Sequence, residues 1–310
     1  MEFLQNASPY GQWASNQLLR QAGVSEWRIR TKTGSAHHGV RIVDGGPLPP
    51  SFPPRIDERW FQQWSDLAAL QMIRPDAIGS HSTAALLHGL ILPRRMQQSS
   101  TLHVSTGTRG NKIERKGVRG YRKTPESVGT FFGVRLSTAS AAVLELAPML
   151  ELDDMVRLLD GLMGTWNGDP RVEHAKLKSF IRDLPQSRAY RTLRKALRLA
   201  RPGVQSPRET SLRLEIVRAG LPEPTVNPRV YLPSFGDYRK PDLAWEDYKV
   251  CCEYEGAHHM LDAEQWSTDI RRHRAFEAAG WIVIRVTKSM KPVEYLAAIR
   301  DALRSRGWRG

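Results

Sequence analysis

The sequence predicts a mixed α/β protein, α+β overall, in three parts. These are a small helix-turn-helix-like module at 1–45, with or without a wing, a mixed α/β basic middle domain at 56–200, and a mixed sheet flanked by helices at 204–310. Three observations carry this. The last hundred residues read in the order α-β-β-β-α-β. The middle alternates short apolar strands with glycine turns and helical stripes. Between the first two parts, "GPLPPSFPPR" at 46–55 holds five prolines and reads as a linker or extended crossing.

With 310 residues the chain can form two or three hydrophobic cores. It has 40% hydrophobic and 25% charged residues, with no low-complexity tract or internal repeat. "MEFLQNASPY" has no basic region followed by an apolar one, so no signal peptide is expected. "AALLHGLIL" falls short of the roughly 18 apolar residues of a membrane span. Cys251 and Cys252 are adjacent and point to opposite strand faces. Neither a disulfide framework nor a zinc site follows, which fits a reducing cytoplasm. Lys and Arg number 46 against 32 Asp and Glu, a net charge of +14, and residues 101–200 alone carry 18 against 10. A basic middle suggests a polyanion, most often nucleic acid; scattered surface arginine serving solubility is the alternative.

In chain order, 11–33 predicts a helix with Leu18, Leu19 and Ala22 inward, a turn at Gly23, and a second short helix carrying Arg28, Arg30 and Lys32. This is either a DNA-reading helix-turn-helix or a plain helical hairpin. "HGVRIV" reads as a strand and is the candidate wing. Helices are expected over 58–73 and 80–91, the second capped by Ser80 or Ser82. "TLHVST" at 101–106 and "FFGVRLS" read as strands, the latter running into a helix capped at Ser137 or Thr138, with further helices to about 164. Between the strands, 107–123 is a glycine-punctuated hairpin with seven Lys/Arg, among them Lys112, Arg115 and Lys116. It could follow a phosphate backbone, or be basic only to protect a sheet edge. Residues 186–201 predict an amphipathic helix with Leu193, Ala196, Leu197 and Ala200 on one face. Arg188, Arg191, Lys195 and Arg198 form its basic stripe, where like charges repel unless an anion lies along them; a solvated face is the bland reading.

The last hundred residues hold the candidate chemistry. In "SPRETSLRLEIVRAGLP", Ser206, Pro207 and Glu209 form a capping-box helix start, so Glu209 either bonds back to the Ser206 amide or points into a site beside the sheet. "YRKPDLAW" places Asp242 at the mouth of a strand, and "KVCCEYEGAHH" places Cys251, Glu253 and Glu255 on one strand face. Glu253 follows Asp242 by eleven positions, so a hairpin sets them side by side. Two such carboxylates repel unless a cation lies between them, and oxygen-only ligands favour Mg²⁺ or Mn²⁺. A helix over 262–279 then turns Trp266, Ile270, His273 and Phe276 inward and stops at Gly280 before a buried strand. Asp269, Arg272 and Arg285 lie near the site, although Asp269 and Arg272 could equally form a surface ion pair.

This run of helix-with-Glu, Pro-Asp, Glu-x-Glu-Gly, His, Asp-x-x-Arg and Gly-Trp-x-x-x-Arg resembles the PD-(D/E)XK nuclease superfamily. Within it, about 204–306 is similar to the branch related to the Vsr mismatch-repair endonuclease. The resemblance implies a restriction-endonuclease-like sheet with the site at one edge and phosphodiester hydrolysis with one or two divalent metals. It implies Asp242 and Glu253 as metal ligands, Glu209 as a metal- or water-contacting acid, and Glu255 where the superfamily has lysine and this branch commonly Asp. The lysine would stabilise developing phosphorane charge, and His258 or His259 could replace it as general acid/base. Arg272 and Arg285 would contact phosphate. The segments "SHSTAALLHGL" and "LHVST", with the basic hairpin, resemble proteins that fuse an AbiEi-type antitoxin module to a Vsr-like domain. "STASAAVLELA" departs from that pattern. Two functions follow as expectations: a Mg²⁺- or Mn²⁺-dependent DNA endonuclease or nickase, or a non-catalytic DNA-binding repressor with a degenerate nuclease-like domain.

Overall fold

The computed structural model describes residues 13–21, 23–27, 34–37, 40–42, 57–108, 111–165, 168–255 and 263–310; at 13, 14, 18, 34–37, 40–42 and 263–270 it describes the backbone alone. The chain packs as two compact units, one of residues 1–158 with 184–193 and one of 159–183 with 194–310. The second unit thus begins before the expected boundary near 204. Among the described residues no helix is long and apolar enough to cross a membrane.

The first unit opens with β1 (Trp13–Ser15), α1 (Asn16–Gln21), β2 (Gly34–His37) and β3 (Val40–Ile42), with an antiparallel sheet in the order β1-β3-β2. The first helix is therefore six residues long and follows a strand. Leu19 anchors it at 2% exposure, and the Val24 amide closes its end on the Leu19 carbonyl at 2.9 Å. The strand expected in "HGVRIV" is β3. Arg28, Arg30, Lys32 and the linker at 46–55 lie outside the described residues.

The larger sheet consists of β4 (Ile78–Gly79), β5 (Leu102–Ser105), β6 (Glu114–Arg115), β7 (Val118–Tyr121), β8 (Val128–Phe131) and β9 (Val134–Ser137), in the order β6-β7-β5-β4-β9-β8. It is mixed, with β5–β7 and β4–β9 parallel. Helix α2 (Glu58–Ile73), capped by Asp57 accepting from the Trp60 amide at 2.8 Å, packs Trp60, Trp64, Leu67 and Leu70 against Leu102, Val104, Val134 and Leu136. Gly79 permits that close approach: a Cβ there would stand 2.6 Å from the Leu67 and Leu136 side chains. Helix α3 (His81–Leu87) ends earlier than the expected 91, with Gly89 at φ +71°. "FFGVRLS" is not one strand. Phe132 and Gly133 both take positive φ and form the two-residue turn of the β8–β9 hairpin, which matches the strand twist. After the short α4 (Arg94–Gln97) and the β strands come α5 (Ala139–Leu146), capped by Thr138, and α6 (Leu152–Met163).

The second unit contains α7 (His174–Arg182), most of α8 (Arg191–Leu199), α9 (Pro207–Arg218), α10 (Ala263–Ala278) and α11 (Pro292–Ser305). Its sheet has the order β10-β13-β14-β15, from β10 (Thr225–Val226), β13 (Leu243–Trp245), β14 (Val250–Glu255) and β15 (Ile282–Thr287). β13 and β14 are antiparallel, while β14 and β15 are parallel across the α10 crossover. The expected α-β-β-β-α-β order is present, interrupted by a separate hairpin of β11 (Val230–Leu232) and β12 (Asp237–Arg239). Alternation along β14 builds a core on each face. Val250 and Cys252 pack with Leu212, Ile216, Tyr295, Ile299 and Leu303, and Cys251 packs with Val230, Leu232, Ala275, Phe276 and Trp281. Both cysteines are free and fully buried, and burial pushes both thiols upward.

Candidate active site

Turn geometry sets the position of the acids. Lys249 in the left-handed region closes the 246–249 turn, which fixes Trp245 opposite Val250 and Leu243 opposite Cys252. One register step beyond Leu243 and Cys252 are Asp242 and Glu253. Asp242 directly precedes β13 and Glu253 is the fourth residue of β14, and these are the two central strands of the sheet. Asp242 Oδ2 accepts the Tyr254 amide at 2.7 Å, so the strand backbone orients it. Glu253 has 13% side-chain exposure, and its Oε2 accepts from Arg272 of α10 at 3.0 Å. Its Oε1 is buried and has no hydrogen-bond partner among the described residues.

Burial pushes Asp242, Glu253 and Glu209 above the ordinary carboxylate range. Asp242 raises both glutamates further, while Arg272 opposes the rise in Asp242 and Glu253. Three carboxylates thus share one field partly offset by one guanidinium. Glu209 is 4% exposed. Its amide donates to Ser206 Oγ at 3.2 Å, but its carboxylate turns to the Gln205 amide at 2.8 Å and to Asn227 Nδ2 at 2.6 Å. The expected return bond to Ser206 is replaced by these two, which tie α9 to the segment whose Asn227 amide donates to the Asp242 carbonyl.

Glu255 is engaged by Arg285 of β15, a residue 51% exposed. Arg272 likewise reaches across 19 positions to Glu253. His273, expected inward, is on the rim at 31% side-chain exposure and pairs with Glu277 at 3.4 Å. His258 and His259, and the side chains of Trp266, Asp269 and Ile270, lie outside the described residues. Among the described residues, no group of three or more His, Cys, Asp or Glu side chains is disposed to hold a metal ion. An Asp242–Glu253 pair with an orphaned Glu253 oxygen nevertheless fits Mg²⁺, which commonly takes one or two carboxylates and fills its other positions with water and substrate phosphate.

The basic residues expected at phosphate are on the surface. Arg188, Arg191, Lys195 and Arg198 are exposed while Leu193, Ala196 and Ala200 are buried, as the helical stripe predicts. Lys112 and Lys116 are exposed and Arg115 half-buried; Lys112, Arg115 and Arg119 line an open groove of about 510 Å³ along the β6–β7 hairpin.

A buried polar network in the first unit was not read from the sequence, although "SHSTA" and "LHVST" contain its members. His81 takes φ +49° and stacks on Tyr121 with ring centroids 3.7 Å apart. Tyr121 Oη is 3.0 Å from His103 Nδ1, and Glu145 accepts from the His81 amide at 2.6 Å and from Ser137 Oγ at 2.9 Å. Glu145 therefore replaces the expected Ser80 or Ser82 side-chain cap. Burial, with cationic neighbours, holds His81 down to about 3 and His103 to about 4, against an ordinary 6.5. Unfolded imidazoles take up protons near 6.5 and these do not, so stability falls as pH drops from about 6.5 towards 4. Urea titrations of the first unit should show about 2–3 kcal/mol lost per histidine near pH 4.5 relative to pH 7. His103→Gln should flatten that slope, and an unchanged slope would remove the histidines as its cause.

Comparison with family models, with curated proteins and with solved structures finds no match for this chain.

Proposed function

We propose that the second unit is a divalent-metal-dependent DNA endonuclease or nickase of restriction-endonuclease-like fold. The carrying observation is the half-buried pair Asp242 and Glu253, one register step beyond the paired residues Leu243 and Cys252, with one Glu253 oxygen buried and without a partner among the described residues. Asp242 and Glu253 would hold Mg²⁺ or Mn²⁺, which when bound supplies charge neutralisation at the phosphate and lowers the proton affinity of water. The Tyr254 amide holds the Asp242 carboxylate in place, and Arg272 holds that of Glu253. Glu209, fixed by Gln205 and Asn227, lies in the field of Asp242, which raises it further. Arg285, drawn to the site face by Glu255, brings a positive group to the strand position where the superfamily carries lysine. The basic stripe at 188–198, the hairpin at 112–116, and Arg28 and Arg30 would grip the duplex backbone.

Supercoiled plasmid should be nicked on addition of Mg²⁺ or Mn²⁺ and left intact in chelator; equal cleavage by wild type and Asp242→Ala would reject the reading. A second reading, a DNA-binding regulator without cleavage, is favoured by one observation: Glu253 and Glu255 both already face arginines. It expects salt-sensitive binding to a preferred site with no metal-dependent nicking.

A further inference from the structure

The β11–β12 hairpin presents an aromatic pair to solvent. Val230 and Leu232 are buried against Ala244, Cys251, Ala275 and Phe276, and this anchors the strand's inner face. Alternation then turns Tyr231 outward, at 52% exposure. Tyr238 lies directly across the hairpin at 48% exposure, its ring centroid 5.4 Å from that of Tyr231 with planes inclined at 62°. Five large hydrophobic side chains are exposed among the described residues, and these two are the cross-strand pair. The Arg229 guanidinium lies 4.6 Å over the Tyr238 ring, Arg239 lies 4.5 Å over Phe235, and Lys240 is exposed beside them. Asp237 is the single acid of the hairpin and is held by Arg239 at 2.6 Å.

A cross-strand tyrosine pair can stabilise a hairpin by itself. Here the inner face already holds the hairpin, and the outer face combines aromatic rings with cations. That combination is what sequence-tolerant binding of single-stranded nucleic acid uses, since bases stack on the rings while cations meet the phosphates. Location adds a reason. Tyr238 precedes Asp242 by four residues, so their Cα atoms are within about 14 Å, a span of a few nucleotides.

We infer that the β11–β12 hairpin is a binding site for single-stranded DNA, stacking bases on Tyr231 and Tyr238 and placing the strand beside Asp242 and Glu253. The placement rests on the nuclease reading; the binding does not. The test uses the full-length protein in chelator with an oligonucleotide carrying 2-aminopurine, either single-stranded or fully paired. The expected result is quenched emission and tighter binding for the single strand. Tyr231→Ala and Tyr238→Ala should each weaken it about 5- to 100-fold, while the Tyr→Phe variants retain it. Equal affinity for single strand and duplex, absence of quenching, or wild-type binding by the alanine variants would overturn the inference. Quenching by a wild type that fails to nick plasmid would sustain the hairpin site and remove the nuclease reading.

Discussion

Asp242→Ala and Glu253→Ala should each lower metal-dependent nicking about 10²- to 10⁴-fold, the equivalent of losing several kcal/mol of transition-state charge stabilisation. Each removes one of two opposed carboxylates whose burial already disfavours their charged forms. Losing either leaves Arg272 less opposed at the place where a cation would lie. Burial raises both acids from their ordinary values, so each gives up its proton at a higher pH than it would when free. Metal affinity, and with it nicking, should rise with pH through a window above the usual acid range. Glu255→Gln should cost far less, because Glu255 is a third exposed and neutralised by Arg285. Initial nicking rates against pH and Mg²⁺ concentration read all three effects. Equal loss in the Glu255 variant would move the centre of the site away from Asp242.

Asp160→Ala should destabilise the second unit by about 3–5 kcal/mol, the cost of leaving one member of a buried ion pair alone. Asp160 and Arg213 have side-chain exposures of 0% and 1% and meet at 3.1 Å. Burial pushes Asp160 upward, and three donors oppose this: Arg213 by charge and hydrogen bond, the Arg201 amide at 2.8 Å and Thr210 Oγ1 at 2.8 Å. Arg213 also reaches Glu223 at 3.0 Å, while its Nε is buried without a partner among the described residues. Removing the carboxylate leaves a buried guanidinium held only by the more exposed Glu223, and frees Thr210 and the Arg201 amide together. Asp160→Asn keeps one acceptor oxygen, enough for the Arg201 amide, but loses the charge and turns an NH2 towards Arg213, so it should recover only part of the loss. Urea unfolding followed by amide exchange in β13 and β14 isolates this unit from the first. An unchanged midpoint in Asp160→Ala would show that the pair contributes nothing net.

Local periodicity was enough for several elements. The helix over 58–73, the Ser206 cap, the strand from Val250 and the helix stop at Gly280 all have the residues their geometry needs nearby in sequence. The failures share a cause as well. Phe132 at φ +53° is a turn residue that its hydrophobicity disguises. The helix opening at His81 is capped by Glu145, 64 positions away, not by a nearby serine. His273 falls on the inward phase of a helical repeat, yet the helix meets the sheet through Ala275 and Phe276 and leaves His273 to Glu277.

The opposition of Asp242 and Glu253 was determined by the sequence alone. Two strands with period two and a short turn between them leave one register that buries Leu243, Val250 and Cys252 together. What surrounds those acids was decided only by tertiary structure. Arg272 reaches Glu253 across 19 positions, Arg285 reaches Glu255 across 30, and Arg213 reaches Asp160 across 53. Such partners are chosen by how helices pack on the sheet, a global property that no local pattern of residues encodes.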